Sequence, residues 1–362
     1  MKYIWFKNPN AEPVFKWLFR KNDQLEHVVF YFISKLNATS ARYFSLFEAS
    51  TKIRIVYLSG TRIPYTDRLM LKLYRAFFYL LKRKFENYNF IHFLGGHPTL
   101  NNTNQILHID DPTYSSQEIT YLENWEKLLV SKELNPIIIT TNLHTKEWLM
   151  NYLKRTKIEI IEQGYDPTLQ IEKYQEVGNS KFSCVYSSPY IHMGTDKHAN
   201  HDTWGAELLI ERIIPGLYLK DSEIQIHLIG EIGKNASKSL KKYNNIVYHG
   251  RVNFSENICL LRKCSVGIYP RNKDLKRSMS KISSYIGAGL PVVTYDLVDT
   301  EVIKVNALGY SVSSDEEFIE KIVYLKNNPT ILKELSGRVN KIKFDYTWQS
   351  LSKKMENYLE DI

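Results

Sequence analysis

Lys281 and Ser284 stand three residues apart in SKISSYIGAGLPVVTYDL (280–297), which puts both on one face of a helix. Ser278 is a suitable N-cap, and Ile282, Tyr285 and Ile286 form the i, i+3, i+4 apolar stripe. A lysine near a helix N-terminus adds positive charge where unpaired N–H groups already supply it. An anion bound there relieves the conflict, and a diphosphate would use the N–H groups, the dipole and the ammonium together. The residues just after other apolar runs have matching chemistry: Ser187 and Ser188, Gly230-Glu231-Ile232-Gly233, Gly250–Arg251–Val252, and Pro270–Arg271. Glycines let a backbone approach a phosphate closely, and arginine supplies charge in a fork. The competing reading is a solvated polar surface, the usual place for serine and lysine.

The first half offers a different chemistry. LHIDDPTY ends an apolar run in Asp110 and Asp111. An aspartate within hydrogen-bond reach of a hydroxyl can act as general base, while Asp before Pro-Thr also makes good turn chemistry. In GGHP, His97 follows another apolar run and is a candidate contact for a phosphate or a second substrate. No HEXXH helix or metal-ligand carboxylate cluster is present in the sequence, so no metal is expected.

These residues need a scaffold that brings the ends of many strands together. Short apolar runs alternate with helical stretches, the pattern of βα units around parallel sheets buried on both faces. The predicted strands of the first half are 2–6, 27–32, 53–58, 90–94, 105–109, 136–140 and 158–162. Those of the second half are 182–187, 224–230, 246–250, 265–270, 291–296 and 309–312. A chain of 362 residues is too long for one ordinary core, and the polar stretch 166–180 is the natural joint. The predicted organisation is an α/β chain of two doubly wound, Rossmann-like domains, 1–170 and 171–345, followed by a closing helix over 346–362. In that helix Trp348, Leu351, Met355 and Tyr358 share a face, positioned to bridge back to the first domain. Ligands of such sheets bind outside the strands' carboxyl ends.

The net charge of +9 is uneven: residues 52–84 hold nine basic side chains and one acid, a local +8. Read as a helix, that segment lines Arg68, Lys72, Arg75, Lys82 and Arg83 along one face, with Met70, Leu73, Phe77, Leu80 and Leu81 on the other. The basic face is either solvated or a contact for anionic lipid head groups. Three cysteines, Cys184, Cys259 and Cys264, point to a reducing cytosol rather than a disulfide framework. The N-terminus lacks a signal-peptide pattern, and no stretch approaches the roughly 18 apolar residues of a membrane span.

IQIHLIGEIGKN, NIVYHGRV, LLRKCSVGIYPRNK, SKISSYIGAGLPVVTYD, NALGYSV and LKNNPTILKELSGRV…YTWQSLS together resemble, in order and spacing, the donor-binding domain of GT-B glycosyltransferases, particularly the family 4-like group. KYIWFKNPNAE, IIITTNLHTKEWL and IEIIEQGYDP are weaker echoes in the first half. The resemblance implies a GT-B fold whose two domains face an interdomain cleft, with acceptor in the first and nucleotide sugar in the second. It also implies transfer to a hydroxyl of a glycan, lipid-linked or other acceptor, retention of configuration, and no metal or other cofactor. The family's two glutamates, eight residues apart, fall here on Lys276 and Ser284. Some relatives carry a diphosphate-binding lysine three residues before the second, which here is Lys281. By the same likeness Arg271 contacts phosphate, Ser284 contacts ribose or phosphate, and Gly250–Val252 reads the base. The alternatives are a nucleotide-sugar epimerase of the same fold or, from a pI near 9.1 and 25 tyrosines, a nucleic-acid or polyanion binder.

Overall fold

The structure, a computed structural model, describes residues 2–7, 27–32, 53–57, 89–93, 105–109, 116–131, 133, 137–154, 157–162, 164–165, 181–197, 205–271, 280–347, 350–351, 353–354 and 357. The chain divides into two compact units, one of Met1–Glu162 with Leu351–Ile362 and one of Gln163–Ser350.

The first unit is a parallel sheet of β1 (Lys2–Lys7), β2 (His27–Phe32), β3 (Ile53–Tyr57), β4 (Asn89–Phe93), β5 (Gln105–Ile109), β6 (Ile137–Thr140) and β7 (Ile158–Ile160), in the order β3-β2-β1-β4-β5-β6-β7. Each strand coincides with a predicted one to within a residue or two, because a short run dense in β-branched and aromatic residues is the sequence signal of a strand. Helices α1 (Ser116–Ser131) and α2 (Leu143–Met150) cover the last strands. Leu122, Trp125 and Leu129 of α1 pack with Ile138, Leu149 and Ile158. The side chain of Asn142 accepts the N–H of Thr145 at 2.8 Å and so starts α2. Toward the C-terminus Leu351 is buried and Lys354 pairs with Glu162 at 3.1 Å, both within this unit.

The second unit is a six-stranded parallel sheet of β8 (Ser183–Ile191), β9 (Gln225–Ile232), β10 (Ile246–Gly250), β11 (Val266–Tyr269), β12 (Val292–Tyr295) and β13 (Gly309–Val312). Its order is β10-β9-β8-β11-β12-β13. The chain therefore winds outward from β8 in one direction and from β11 in the other, which makes the β8/β11 boundary the topological switch point. Helices cover both faces. A run of α3 (Ala206–Leu208), a π turn (Leu209–Ile213) and α4 (Ile214–Lys220) lies on one, with α5 (Lys234–Leu240); its core includes Tyr186, Leu228, Ile268 and Phe318. On the other, α6 (Phe254–Arg262) and α7 (Ser280–Ala288) pack with Val185, Ile229, Tyr269 and Val292. Residues 184, 185 and 186 thus alternate between the two cores, as a strand buried on both faces must. Short α8 (Glu301–Val305), then α9 (Asp315–Asn327) and α10 (Pro329–Ile342), complete the unit.

One strand differs from expectation in a way that matters. Ser187 and Ser188 were expected to follow a strand ending at 187, but β8 runs on to Ile191. Its pairing with β9 shifts register between Ser187 and Tyr190, at Pro189, which has no N–H to give the ladder.

Candidate active site

The switch point is built around one tyrosine. Tyr285 of α7 is fully buried. Its hydroxyl accepts the N–H of Ser187 at 3.2 Å and donates to the carbonyl of Ile268 at 3.2 Å, so α7 is pinned to β8 and β11 at once. Gly267 allows this: a Cβ there would lie 2.8 Å from the Tyr285 ring. Burial pushes the phenol well above its ordinary value, so the hydroxyl stays a neutral donor.

Lys281, one turn earlier on α7, is half-buried rather than solvated. Its ammonium lies 5.3 Å from the ring centre of Tyr186 on β8 and 5.9 Å from that of Tyr269 on β11. Both rings are fully buried, so the cation sits against aromatic faces at the seam between the sheet's two halves. Arg271, two residues past β11, is only 2 % exposed and donates from Nη1 to the Tyr269 hydroxyl at 3.3 Å. Lys281 and Arg271 thus converge on the same tyrosine. The backbone crowds in as well, since a Cβ on Gly205 (φ +78°) would meet the Pro270 carbonyl oxygen at 2.2 Å. Ser284 is half-buried on α7.

Several of the other sequence candidates of this unit are engaged within the fold. Ser188 is buried and donates to the Tyr190 carbonyl at 2.9 Å; Ser187 donates to Asn257 Oδ1 of α6 at 2.9 Å. At Gly230-Glu231-Ile232-Gly233 the expected phosphate cradle is already filled. Asp196 accepts the N–H groups of Asn235 at 2.9 Å and Ala236 at 3.2 Å, and its carboxylate takes the space of a Gly233 Cβ. Gly230 in turn accommodates the Ser188 carbonyl oxygen. A carboxylate at the start of α5 opposes a second anion there. Gly250 (φ +73°) faces open space. Arg251, 57 % exposed, pairs with Glu231 at 3.0 Å and lies 5.0 Å above the Tyr190 ring. Val252 packs against the α6 and α7 core.

Asp110, Asp111, His97 and Lys276 lie outside the described residues, as do Arg68, Lys72, Arg75, Lys82 and Arg83. Among the described residues no group of three or more His, Cys, Asp or Glu is placed to hold a metal ion, and no helix is long and apolar enough to cross a membrane.

No protein-family model matches the sequence, and no curated protein does. Solved structures do match, over nearly the whole of this chain. A glycosyltransferase from Rickettsia africae is similar with a TM-score of 0.71 at 11 % identity, over 99 % of this chain and 98 % of that one. Anabaena HepE, solved in complex with UDP-glucose, gives a TM-score of 0.65 at 11 % identity over 100 % of both chains. An α,α-trehalose-phosphate synthase (UDP-forming) from Burkholderia xenovorans, solved with glucose-6-phosphate, gives 0.63 at 10 % identity over 100 % of this chain and 99 % of its own. This chain has the GT-B fold.

Within that GT-B frame, the tyrosines that shape the seam escaped sequence reasoning. The available signal was a repeat: FSCVYS and SVGIYP both close an apolar run with tyrosine and a small or rigid residue, and the rings so placed, Tyr186 and Tyr269, are the two that Lys281 faces.

Proposed function

We propose that this GT-B chain is a metal-independent glycosyltransferase that moves a sugar from a nucleoside diphosphate to a hydroxyl of a glycan or lipid-linked acceptor. The observation that carries the reading is the convergence of Lys281 and Arg271 on Tyr269 at the switch point of the second sheet. Two cations there match a diphosphate, whose charge grows as its bond to the anomeric carbon breaks. Donors already fixed in a water-poor site stabilise such charge without reorganising. Tyr269 orients the Arg271 fork, and the Tyr186 and Tyr269 faces hold the ammonium. Support also comes from the glycosyltransferase named among the similar structures and from the UDP-glucose bound to another.

In this reading the second unit takes the donor, with the Gly250–Val252 backbone beside the base and Ser284 beside ribose or phosphate. The first unit takes the acceptor. The acceptor oxygen forms the new bond to the anomeric carbon as the diphosphate oxygen leaves, and the acceptor proton passes to a base. Asp110 or Asp111 is the proposed base if configuration inverts; if it is retained, as the family resemblance implies, a departing phosphate oxygen takes the proton. His97 is the proposed contact to acceptor or phosphate.

A thermal-shift panel of UDP-, GDP-, ADP-, CMP- and dTDP-sugars tests the reading, because a ligand that binds only the folded state raises its Tm by mass action. One nucleotide class is expected to shift the transition, and Lys281→Ala to weaken that donor by roughly tenfold to a hundredfold, the scale of one lost charge-assisted contact. A panel without any shift overturns the donor site; an undiminished shift in Lys281→Ala removes that lysine from it. Release of free nucleoside diphosphate upon acceptor addition separates transfer from epimerisation, which needs no acceptor.

A further inference from the structure

His227 on β9 and His249 on β10 are joined side chain to side chain, Nδ1 of the first lying 2.9 Å from Nε2 of the second. The ring centres are 5.1 Å apart and the planes differ by 20°. A short nitrogen contact between nearly parallel rings at that separation is an edge-to-edge N–H···N bond, one ring donating and the other accepting. His249 is also the extra residue of a bulge: Tyr248 pairs with Leu228 and Gly250 with the very next residue, Ile229. Directly after it Gly250 adopts φ +73°, and the chain runs on as the proposed base-reading strip. The strand end has two further ties to β9, the Tyr248 hydroxyl accepting the Ile232 N–H at 3.2 Å and the Arg251–Glu231 pair at 3.0 Å.

We propose that His227 and His249 are a proton-sensitive positioning pair: their hydrogen bond fixes the bulge in β10 and hence the path of Gly250–Val252, and protonation of both rings releases it. The role in donor binding rests on the reading of this unit as a nucleotide-sugar site. Two neutral imidazoles share one N–H, and a single added proton keeps the bond; with two, both facing nitrogens carry hydrogens and repel. The surroundings oppose charging. Burial, then the field of His249, lowers the pKa of His227 below its ordinary 6.5. Burial, then the Lys263 ammonium at the end of α6, lowers that of His249. On the other side β8 places Val185 in register with His227. Because the folded pKa values lie below the unfolded ones, the pair's contribution is complete above about pH 6.5 and is lost as the pH falls.

The test is amide hydrogen exchange over residues 247–252 of the full-length protein from about pH 7.5 to about pH 5, each rate divided by its intrinsic value. Wild type is expected to lose about fivefold protection on acidification, the weight of one hydrogen bond. In the double variant His227→Asn/His249→Gln the amides occupy the Nδ1 and Nε2 positions, keep a hydrogen bond and do not titrate, so protection is expected to stay level. The milder His249→Gln is expected to do the same, since a protonated His227 still donates to the glutamine carbonyl, and it serves if the double variant does not fold. A wild-type profile without the step, or variants that retain it, overturns the pair. Binding of UDP-glucose and GDP-mannose is measured alongside: whichever binds is expected to weaken with the exchange step. Binding that ignores the step overturns the positioning role. A step with no binding by either of these or by the rest of the five-nucleotide panel leaves the clamp supported and overturns the donor site.

Discussion

Asp196 illustrates how one carboxylate decides what a glycine-rich turn does. Three backbone N–H groups, from Met193, Asn235 and Ala236, converge on it at 3.2, 2.9 and 3.2 Å. Burial alone would raise its pKa, but the N–H bonds from Asn235, Met193 and Ala236 win, and the carboxyl is held below its ordinary value of 3.8. Its stabilisation is therefore complete above that value and lost as pH falls through the lower, folded one. Asp196→Ala is expected to cost about 1–2 kcal/mol at neutral pH, the worth of a helix cap. Urea unfolding checks this, and the gap to wild type is expected to narrow as pH drops toward about 3; a gap that ignores pH removes the charge from the explanation. The same residue shows where reading the sequence stops. GEIG carries the composition of an anion cradle, but the carboxylate that fills it comes from near position 196, and no periodicity connects the two. Lys281 was legible from its place near a helix start, whereas the aromatic faces it meets were not, because contacts between strands distant in sequence leave no spacing to read.

At the scale of elements, α7 and the turn after it are set by two glycines with unlike reasons. Gly289 has φ +80° and ends the helix: its N–H reaches the Ile286 carbonyl at 2.9 Å and the Leu290 N–H reaches that of Tyr285 at 3.0 Å. Gly287 lies inside the helix, where alanine would ordinarily add about 1 kcal/mol. Here a Cβ would come within 2.6 Å of the Tyr165 ring, and Tyr165 is held by its own N–H to the Tyr346 carbonyl at 3.0 Å. Overpacking against a ring that is itself buried costs roughly 1–3 kcal/mol, which outweighs the helix gain. Gly287→Ala is thus expected to lower the Tm, by roughly 2–4 °C per kcal/mol lost; a Tm at or above that of wild type refutes the steric account. Elements like β2, β5, β10 and β13 were read from the sequence at their observed limits, since a short run of β-branched and aromatic residues bounded by polar or glycine positions marks a strand. The extension of β8 past Ser187 was not legible: it depends on a register shift against β9, a property of the pair rather than of either strand.

For the whole molecule, the order of strands was unreadable, although the described strands other than β8 lie within a residue or two of the predicted runs. Both sheets start in the middle and wind outward, and only that order makes the ends of β8 and β11 neighbours. Charge, in contrast, is legible at this scale and leads to a prediction the fold alone does not make. The +9 of the chain is nearly all in residues 52–84, which carry +8, so the rest is close to neutral. The basic face that the sequence predicts for Arg68, Lys72, Arg75, Lys82 and Arg83 would gain about 1 kcal/mol per charge near anionic lipid. Such attachment, carried by charge, would be electrostatic and reversible. The protein is expected to sediment with vesicles containing phosphatidylserine and to be released by about 1 M salt, where the Debye length falls to about 3 Å. Lys72→Glu should reduce the bound fraction at least about fivefold and leave the thermal shift by a nucleotide sugar unchanged, because the two effects belong to different units. Equal sedimentation with neutral and anionic vesicles, or none with either, means that the basic face is simply solvated.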